Sequence, residues 1–219
     1  MEERLKWVSR AMQAGMVGVA LAGIVTDNPT WVPAAVVSLF VTAIPALLRR
    51  DLGLVLPVEL NFWIVLALFM HVVGGFSGFY DHVPGWDHIT HMISASLVAA
   101  LGFVVVVTID KYVESIFLPR PFPALFIIMC TMAFGVLWEF MEFANDQLAG
   151  TMLQYSLDDT MVDMMFDAFG GFIVAAMGEY YLTHASQEHF VTPLNVDKAK
   201  IRRSKLISIR EKVKRGPSP

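Results

Sequence analysis

Tyr80-Asp81-His82-Val83-Pro84-Gly85-Trp86-Asp87-His88-Ile89-Thr90-His91 decides the reading of this chain. The stretch places two aspartates and three histidines in twelve residues, with a long apolar run on either side. Polar residues bounded by two such runs read as the turn between two membrane-crossing helices, with the residues after Trp86 entering the second helix.

Outward from this turn the chain divides into six apolar runs, at about Met12–Thr26, Trp31–Leu48, Leu54–Phe76, Asp87–Ile109, Phe122–Ala144 and Thr160–Leu182. Roughly 20 apolar residues in a helix cross a bilayer core. Asn28-Pro29, Arg49-Arg50-Asp51 and Pro119-Arg120-Pro121 break the runs, the prolines because they lack a backbone N–H and disfavour helix at the preceding residue. Pro45 and Pro57 lie near span ends, where kinks are tolerated. The composition agrees: 56% of residues are hydrophobic and 16% charged, against roughly 25% charged in soluble domains. The single cysteine, Cys130, excludes a disulfide framework and a cysteine metal knuckle. The expected fold is all-α, a polytopic bundle of six transmembrane helices over residues 1–183, followed by a basic tail, 184–219. Ala20-Leu21-Ala22 resembles a signal-peptide cleavage site, but Glu2 and Glu3 oppose that reading, and the first run is read as a retained helix.

Charge sets the orientation. The 16 lysines and arginines fall before span one (Arg4, Lys6, Arg10), after span two (Arg49, Arg50), between spans four and five (Lys111, Arg120) and in the tail from Lys198 to Arg215. With six spans, all of these positions lie on one side of the membrane. The positive-inside rule then places both termini in the cytoplasm, at a cell membrane; the prokaryotic plasma membrane is what the family resemblance given below implies. The tail reads chiefly as a solvated topology signal; Val196–Val213 is alternatively a basic amphipathic helix on anionic lipid. Nucleic acid is not an expected partner; membrane lipids are. The sequence carries no signal for an oligomeric state.

On this topology the acidic and imidazole side chains collect at the outer side. Asp87, His88 and His91 open span four, Glu139 and Glu142 close span five, and Asp159, Asp163 and Asp167 open span six. Spacings of three and four residues put His88 with His91, Asp87 with His91, and Glu139 with Glu142 on shared faces. Asp159, Asp163 and Asp167 form one stripe. Gly170 and Gly171 follow, suited to close helix approach. A carboxylate near the bilayer centre costs on the order of 3 kcal/mol, and like charges sharing a site add to that. No Lys or Arg on that side offsets them. Three readings account for the cluster: a divalent metal ion (Zn, Mn or Fe) held by Asp87, His88, His91, Glu139, Glu142, Asp159, Asp163 and Asp167; a proton-sharing polar network; or interfacial residues with no common site.

Of the histidines, His91 is the expected ligand, His82 reads as a loop residue, and His71 as isolated and hydrogen-bonded to a neighbouring helix. One of Asp158 and Asp159 is expected to cap span six. Glu59 and Glu179 read as a separate pair toward the cytoplasm or as facing water. Trp31, Tyr80, Trp86, Trp138 and Tyr180 read as interfacial anchors.

Asp87-x-x-x-His91 opening a helix, Trp138-Glu139-x-x-Glu142 closing one and Asp159-Thr160-x-x-Asp163-x-x-x-Asp167-x-x-Gly170 opening the next resemble the YjdF-like prokaryotic inner-membrane family. The resemblance covers about residues 54–183, and a weaker one reaches the VanZ-like proteins, tied to glycopeptide resistance. It implies a small polytopic membrane protein and no particular reaction. His82 and His88 are extra to the pattern.

The leading functional expectation is a membrane-embedded metal-dependent hydrolase acting on a lipid or lipid-linked substrate from the outer leaflet, with Glu142 and Asp163 as catalytic residues. The di-iron pattern of Glu-x-x-His pairs is missing, which disfavours oxygen chemistry. A proton- or cation-coupled transporter and a non-catalytic subunit of a membrane complex are the rival readings.

Overall fold

The computed structural model describes residues 1–26, 31–112, 119, 121–184 and 194, with backbone alone at 52, 111–112, 179 and 181–184. The chain is all-α, and among the described residues six helices are long and apolar enough to cross a membrane. The expected basic tail lies outside the described residues, apart from Leu194 and the backbone of His184 at the end of the final helix.

Helix α1 (Glu2–Val25) starts ten residues before the expected span. Hydropathy marks the apolar part of a helix and not its end. Here the charged first turns stay helical, Lys6 pairing with Glu3 at 2.7 Å and Glu2 at 3.9 Å. Helix α2 (Val32–Leu47) runs into a π-helical turn, Leu48–Leu52, which Gly53 ends in the left-handed region at φ 74°. Helix α3 (Val58–Phe76) begins only after Pro57, later than the apolar run suggests, because proline pushes the residue before it out of the helical region. A single-turn helix, α4 (Phe79–His82), stands in the connection expected to be a loop. Then come α5 (Trp86–Tyr112), α6 (Phe122–Ala149) and α7 (Leu157–His184). Gly150, at φ 66°, closes α6 by donating its N–H to Asp146 O at 3.2 Å.

Two apolar cores hold the bundle. Met12, Met16, Val19, Ala35, Val65 and Val72 join α1, α2 and α3. Leu60, Ala99, Phe103, Val107, Ile127 and Ala175 join α3, α5, α6 and α7, with Leu194 packed among them. Val55 donates its N–H to Leu194 O at 3.3 Å, which brings that point of the chain back to the end of the bundle opposite the Asp/His cluster. Outward faces are apolar: Phe134, Leu137, Phe140 and Met141 on α6 and Met161, Met165, Phe169 and Phe172 on α7 are exposed. In a bilayer these side chains meet lipid tails.

The inner faces of α5, α6 and α7 are built from small residues, and they fix the register. On α6 the buried stripe is Ile127, Thr131, Gly135 and Glu139, each one turn from the last. Gly171 of α7 approaches Thr131, and a Cβ on Gly135 would overlap the Asp167 carboxylate. Gly170 approaches Met92 O and Ser96 of α5, and Gly178 approaches Phe103. Helices α6 and α7 are therefore antiparallel, with Thr131 opposite Gly171 and Gly135 opposite Asp167. One further turn sets Glu139 level with Asp163. Helices α5 and α7 run parallel at a constant offset of about 75 residues, the separation of His88 from its partner Asp163.

Candidate metal centre

That parallel register carries the site. It lays the first two turns of α5 against the first three of α7. His88 Nδ1 lies 2.7 Å from Asp163 Oδ1. One turn deeper, the His91 ring sits between two carboxylates: Nε2 is 3.6 Å from Asp87 Oδ1 and Nδ1 is 3.4 Å from Asp167 Oδ1. Asp163 and Asp167 are 2% and 4% exposed and His91 6%, so these groups are shielded from water. The Phe166 ring stacks on His88 at 5.2 Å and 14°, fixing the plane of that imidazole.

Ligand atoms converge in two overlapping sets. Asp87, His91 and Asp163 each offer an atom within 4.8 Å of the others, and so do His88, Asp159 and Asp163. The donor set is imidazole plus carboxylate, which suits Zn²⁺, Mn²⁺ or Fe²⁺. The two faces of His91 fit such a role: Nε2 points toward Asp87, while Nδ1 faces Asp167, a carboxylate placed to accept its proton. A metal-ligating histidine almost always donates its second nitrogen in this way.

Helix α6 closes the third side. Glu139 is 4% exposed. Its Oε2 accepts from Gln154 Nε2 at 3.1 Å, and its Oε1 has no hydrogen-bond partner among the described residues. Glu142 accepts from Trp138 Nε1 at 2.8 Å and lies within electrostatic reach of Glu139, Asp87 and His91. The Trp138 ring stands edge-on to His71 at 5.0 Å and His91 at 6.5 Å. The α6–α7 connection is shaped by Asp146, which accepts from Thr151 Oγ1 (2.6 Å), Leu153 N (2.8 Å) and Gln154 N (2.9 Å). Those three bonds bring Gln154 back over Glu139.

A cavity of about 200 Å³ opens at this end of the bundle, lined by Tyr80, Asp81, Asp87, His88, Tyr155 and Asp159 among others. Tyr155 donates its hydroxyl to Asp81 at 3.0 Å, linking the α6–α7 connection to α4 across the cavity mouth. Burial, and then the Asp81 carboxylate, hold the Tyr155 hydroxyl well above the usual phenol range. Burial does the same for Tyr80, whose hydroxyl lies 2.9 Å from His71 Nδ1 and 3.4 Å from Thr90 Oγ1.

Of the eight residues expected from sequence, Asp87, His88, His91, Asp159 and Asp163 supply the two ligand sets. Asp167 faces the far side of His91, and Glu139 and Glu142 flank the cluster from α6. The cap of α7 differs from expectation. Ser156 Oγ accepts from the Asp159 N–H at 3.1 Å, so a serine caps the helix and the Asp159 carboxylate is left for the cluster. His71 is hydrogen-bonded to a neighbouring helix, as expected, through Tyr80 of α4, but it is not isolated, since Trp31 and Trp138 also stand against its ring. Tyr80 and Trp138 act as partners of site residues rather than as plain interfacial anchors, and Trp86 packs on Phe79 and Gly74. His82 is a loop-side residue, exposed and bonded to Gly78 O at 2.8 Å. Glu59 is exposed, and the Glu179 side chain lies outside the described residues. Sequence reading missed Gln154, Tyr155, Asp146 and Phe166. The signal for Phe166 was its position three residues after Asp163; the other three depend on how a connection folds.

No solved structure matches this chain. An uncharacterized protein of Thermotoga maritima is 30% identical over 111 residues, which span 50% of this chain and 56% of that protein. The family model described as "Predicted membrane protein (DUF2238)" matches residues 8–184, which contain α1 from Val8 on, the other five membrane-length helices and the whole Asp/His cluster, and the chain belongs to that family.

Proposed function

We propose that this protein is a membrane-embedded metal-dependent hydrolase whose site opens toward the outer leaflet, acting on a lipid or lipid-linked substrate. The observation that carries the reading is the convergence of Asp87, His91 and Asp163 within 4.8 Å in a bundle end whose connections, residues 77–85 and 150–156, contain no Lys or Arg. The one-sided basic residues support cytoplasmic termini in a plasma membrane and hence an outward site.

Each residue then has a task. Asp87, His91 and Asp163 would hold the ion, and Asp167, 3.4 Å from His91 Nδ1, would fix the ring by accepting its proton. A divalent ion held there would polarise an ester or phosphoester oxygen and make water a better nucleophile at neutral pH. Glu142, held in place by Trp138, would take the proton from the attacking water and return it to the leaving oxygen as the ester or phosphoester bond breaks. The cavity of about 200 Å³ has the size of a small headgroup rather than an acyl chain, and the apolar outer faces of α6 and α7 would meet the chains. The deeper core, Ala99, Phe103, Val107, Ile127 and Ala175, is apolar, which favours a one-sided pocket over a transport path.

The test is metal content by mass spectrometry on protein purified in detergent without chelator, followed by a hydrolysis screen on outer-leaflet phospholipids and polyprenyl phosphates. Near-stoichiometric Zn, Mn or Fe that is lost in Asp163→Ala and His91→Ala supports the reading. A well-folded, metal-free wild type would overturn it and turn attention to proton-coupled uptake in liposomes.

A further inference from the structure

We infer that the site holds two divalent cations side by side, with the Asp163 carboxylate bridging them. The inference rests on the metal-site reading above and adds to it a second ion and a bridging role for one residue. It starts from the two ligand sets, Asp87–His91–Asp163 and His88–Asp159–Asp163, which share only Asp163. A carboxylate has two oxygens and can give one to each ion. Paired-ion centres bridged in this way hold their metals about 3.5–4 Å apart, a spacing that ligand sets sharing a carboxylate can accommodate.

The helical geometry supplies one imidazole for each ion. His88 and His91 are three residues apart on α5 and meet α7 at successive turns, where the parallel register sets Asp163 against His88 and Asp167 against His91. Asp159, one turn before Asp163, completes the second set. Because Ser156 caps α7, Asp159 is not needed at the helix end. His91 and Asp163 are buried, while Asp87 of one set and His88 and Asp159 of the other line the cavity. Both ions would thus lie beside the cavity, the one at Asp87, His91 and Asp163 in the role given above and the second placed to bind the same substrate.

A second, independent observation supports a cation at this end of the bundle, whether one ion or two. Glu139 is 4% exposed, stands level with Asp163 in the α6–α7 register, and has Oε1 without a partner among the described residues. A buried carboxylate oxygen with no donor is costly. A nearby cation removes that cost. Charge balance agrees. Asp87, Glu139, Glu142, Asp159, Asp163 and Asp167 carry six formal negative charges when ionised, and this end of the bundle has no Lys or Arg among its connections. One divalent ion with neutral imidazoles would leave four of those charges, and two ions would leave two.

The experiment uses full-length protein stripped with chelator, reloaded with Mn²⁺ alone and examined by mass spectrometry and electron paramagnetic resonance. Two Mn²⁺ per chain with an exchange-coupled spectrum, its hyperfine spacing halved, is the expected result. His88→Ala and Asp159→Asn each reduce the content from two to one and give an uncoupled spectrum, and Asp87→Asn removes the other ion. One uncoupled Mn²⁺ in the wild type, lost on substitution in either ligand set, overturns the paired centre and leaves the single-ion reading standing. No bound Mn²⁺ in monodisperse wild-type protein, and none of Zn²⁺ or Fe²⁺ under the same loading, overturns both. Because the wild-type stoichiometry and spectrum already decide the matter, a variant that fails to fold does not blunt the test.

Discussion

Gln154 donates its side-chain amide to Glu139 at 3.1 Å, so a residue of the α6–α7 connection holds the one α6 carboxylate that is fully buried at the level of Asp163. Gln154→Ala leaves both oxygens of Glu139 without that donor. Metal affinity should change by about 10- to 100-fold, the usual effect of losing a partner that orients a metal site. Competition against a fluorescent chelator measures it, and an unchanged affinity would mean that Glu139 lies outside the working site.

The same connection depends on Asp146. Asp146→Ala removes acceptors for Thr151, Leu153 and Gln154 at once. Limited proteolysis between Gly150 and Ser156 should become faster, and the affinity loss should match that of Gln154→Ala. Combining both substitutions should add little, because they act through one link.

Trp138 and Glu142 can be separated from metal binding. Glu142→Gln should lower hydrolysis by about 100-fold or more while the metal stays bound. Trp138→Phe keeps the ring against His71 and His91 but removes the 2.8 Å bond to Glu142, and should cost about tenfold in rate, the worth of one hydrogen bond to a charged group. Loss of metal in both variants would instead make Glu142 a ligand.

Gly135 tests the close contact of α6 with α7. Gly135→Ala drives a methyl group into the Asp167 carboxylate, which would tilt His91. Thermal stability and metal content should both fall. Gly102→Ala is the matched control, since nothing lies within 4 Å of a Cβ there; replacing a mid-helix glycine with alanine should be neutral or stabilising by up to about 1 kcal/mol.

Tyr155 spans the cavity mouth through Asp81. Tyr155→Phe should speed removal of metal by a water-soluble chelator without changing equilibrium content. The folded protein keeps the Tyr155 proton at a pH where an unfolded chain, with a phenol pKa of about 10, has released it. The wild-type link should therefore persist at pH 10, and its contribution to stability should decline as the pH rises beyond that value. A sharp rise in chelation rate near pH 10 in the wild type, absent from the Tyr155→Phe variant, would contradict this.

Much of this arrangement was legible in the sequence because two periodicities are strong. Apolar runs of membrane length identify the six long helices, and spacings of three and four place His88, His91, Asp163 and Asp167 on single faces. Helix ends were less legible. The polar first turns of α1 and the last turns of α6 are held by local ion pairs and a glycine cap, which hydropathy does not register. The partners of Glu139 and Asp81 were hidden because Gln154 and Tyr155 reach them through a connection whose shape depends on Asp146. His71 looked alone because its neighbours Tyr80 and Trp138 come from other elements.

The two apolar cores have a consequence for how the protein tolerates change. All of the candidate ligands lie between Asp87 and Asp167, on α5, α6 and α7, whereas the core of Met12, Met16, Val19, Ala35, Val65 and Val72 belongs to α1, α2 and α3. Helix α3 contributes to both cores, through Leu60 to one and Val72 to the other. The candidate ligands and the N-terminal core thus lie on different helices, with α3 as the shared wall. Substitutions in α1 and α2 should alter insertion and lifetime of the protein in the membrane, and those after Gly78 should alter what it does there.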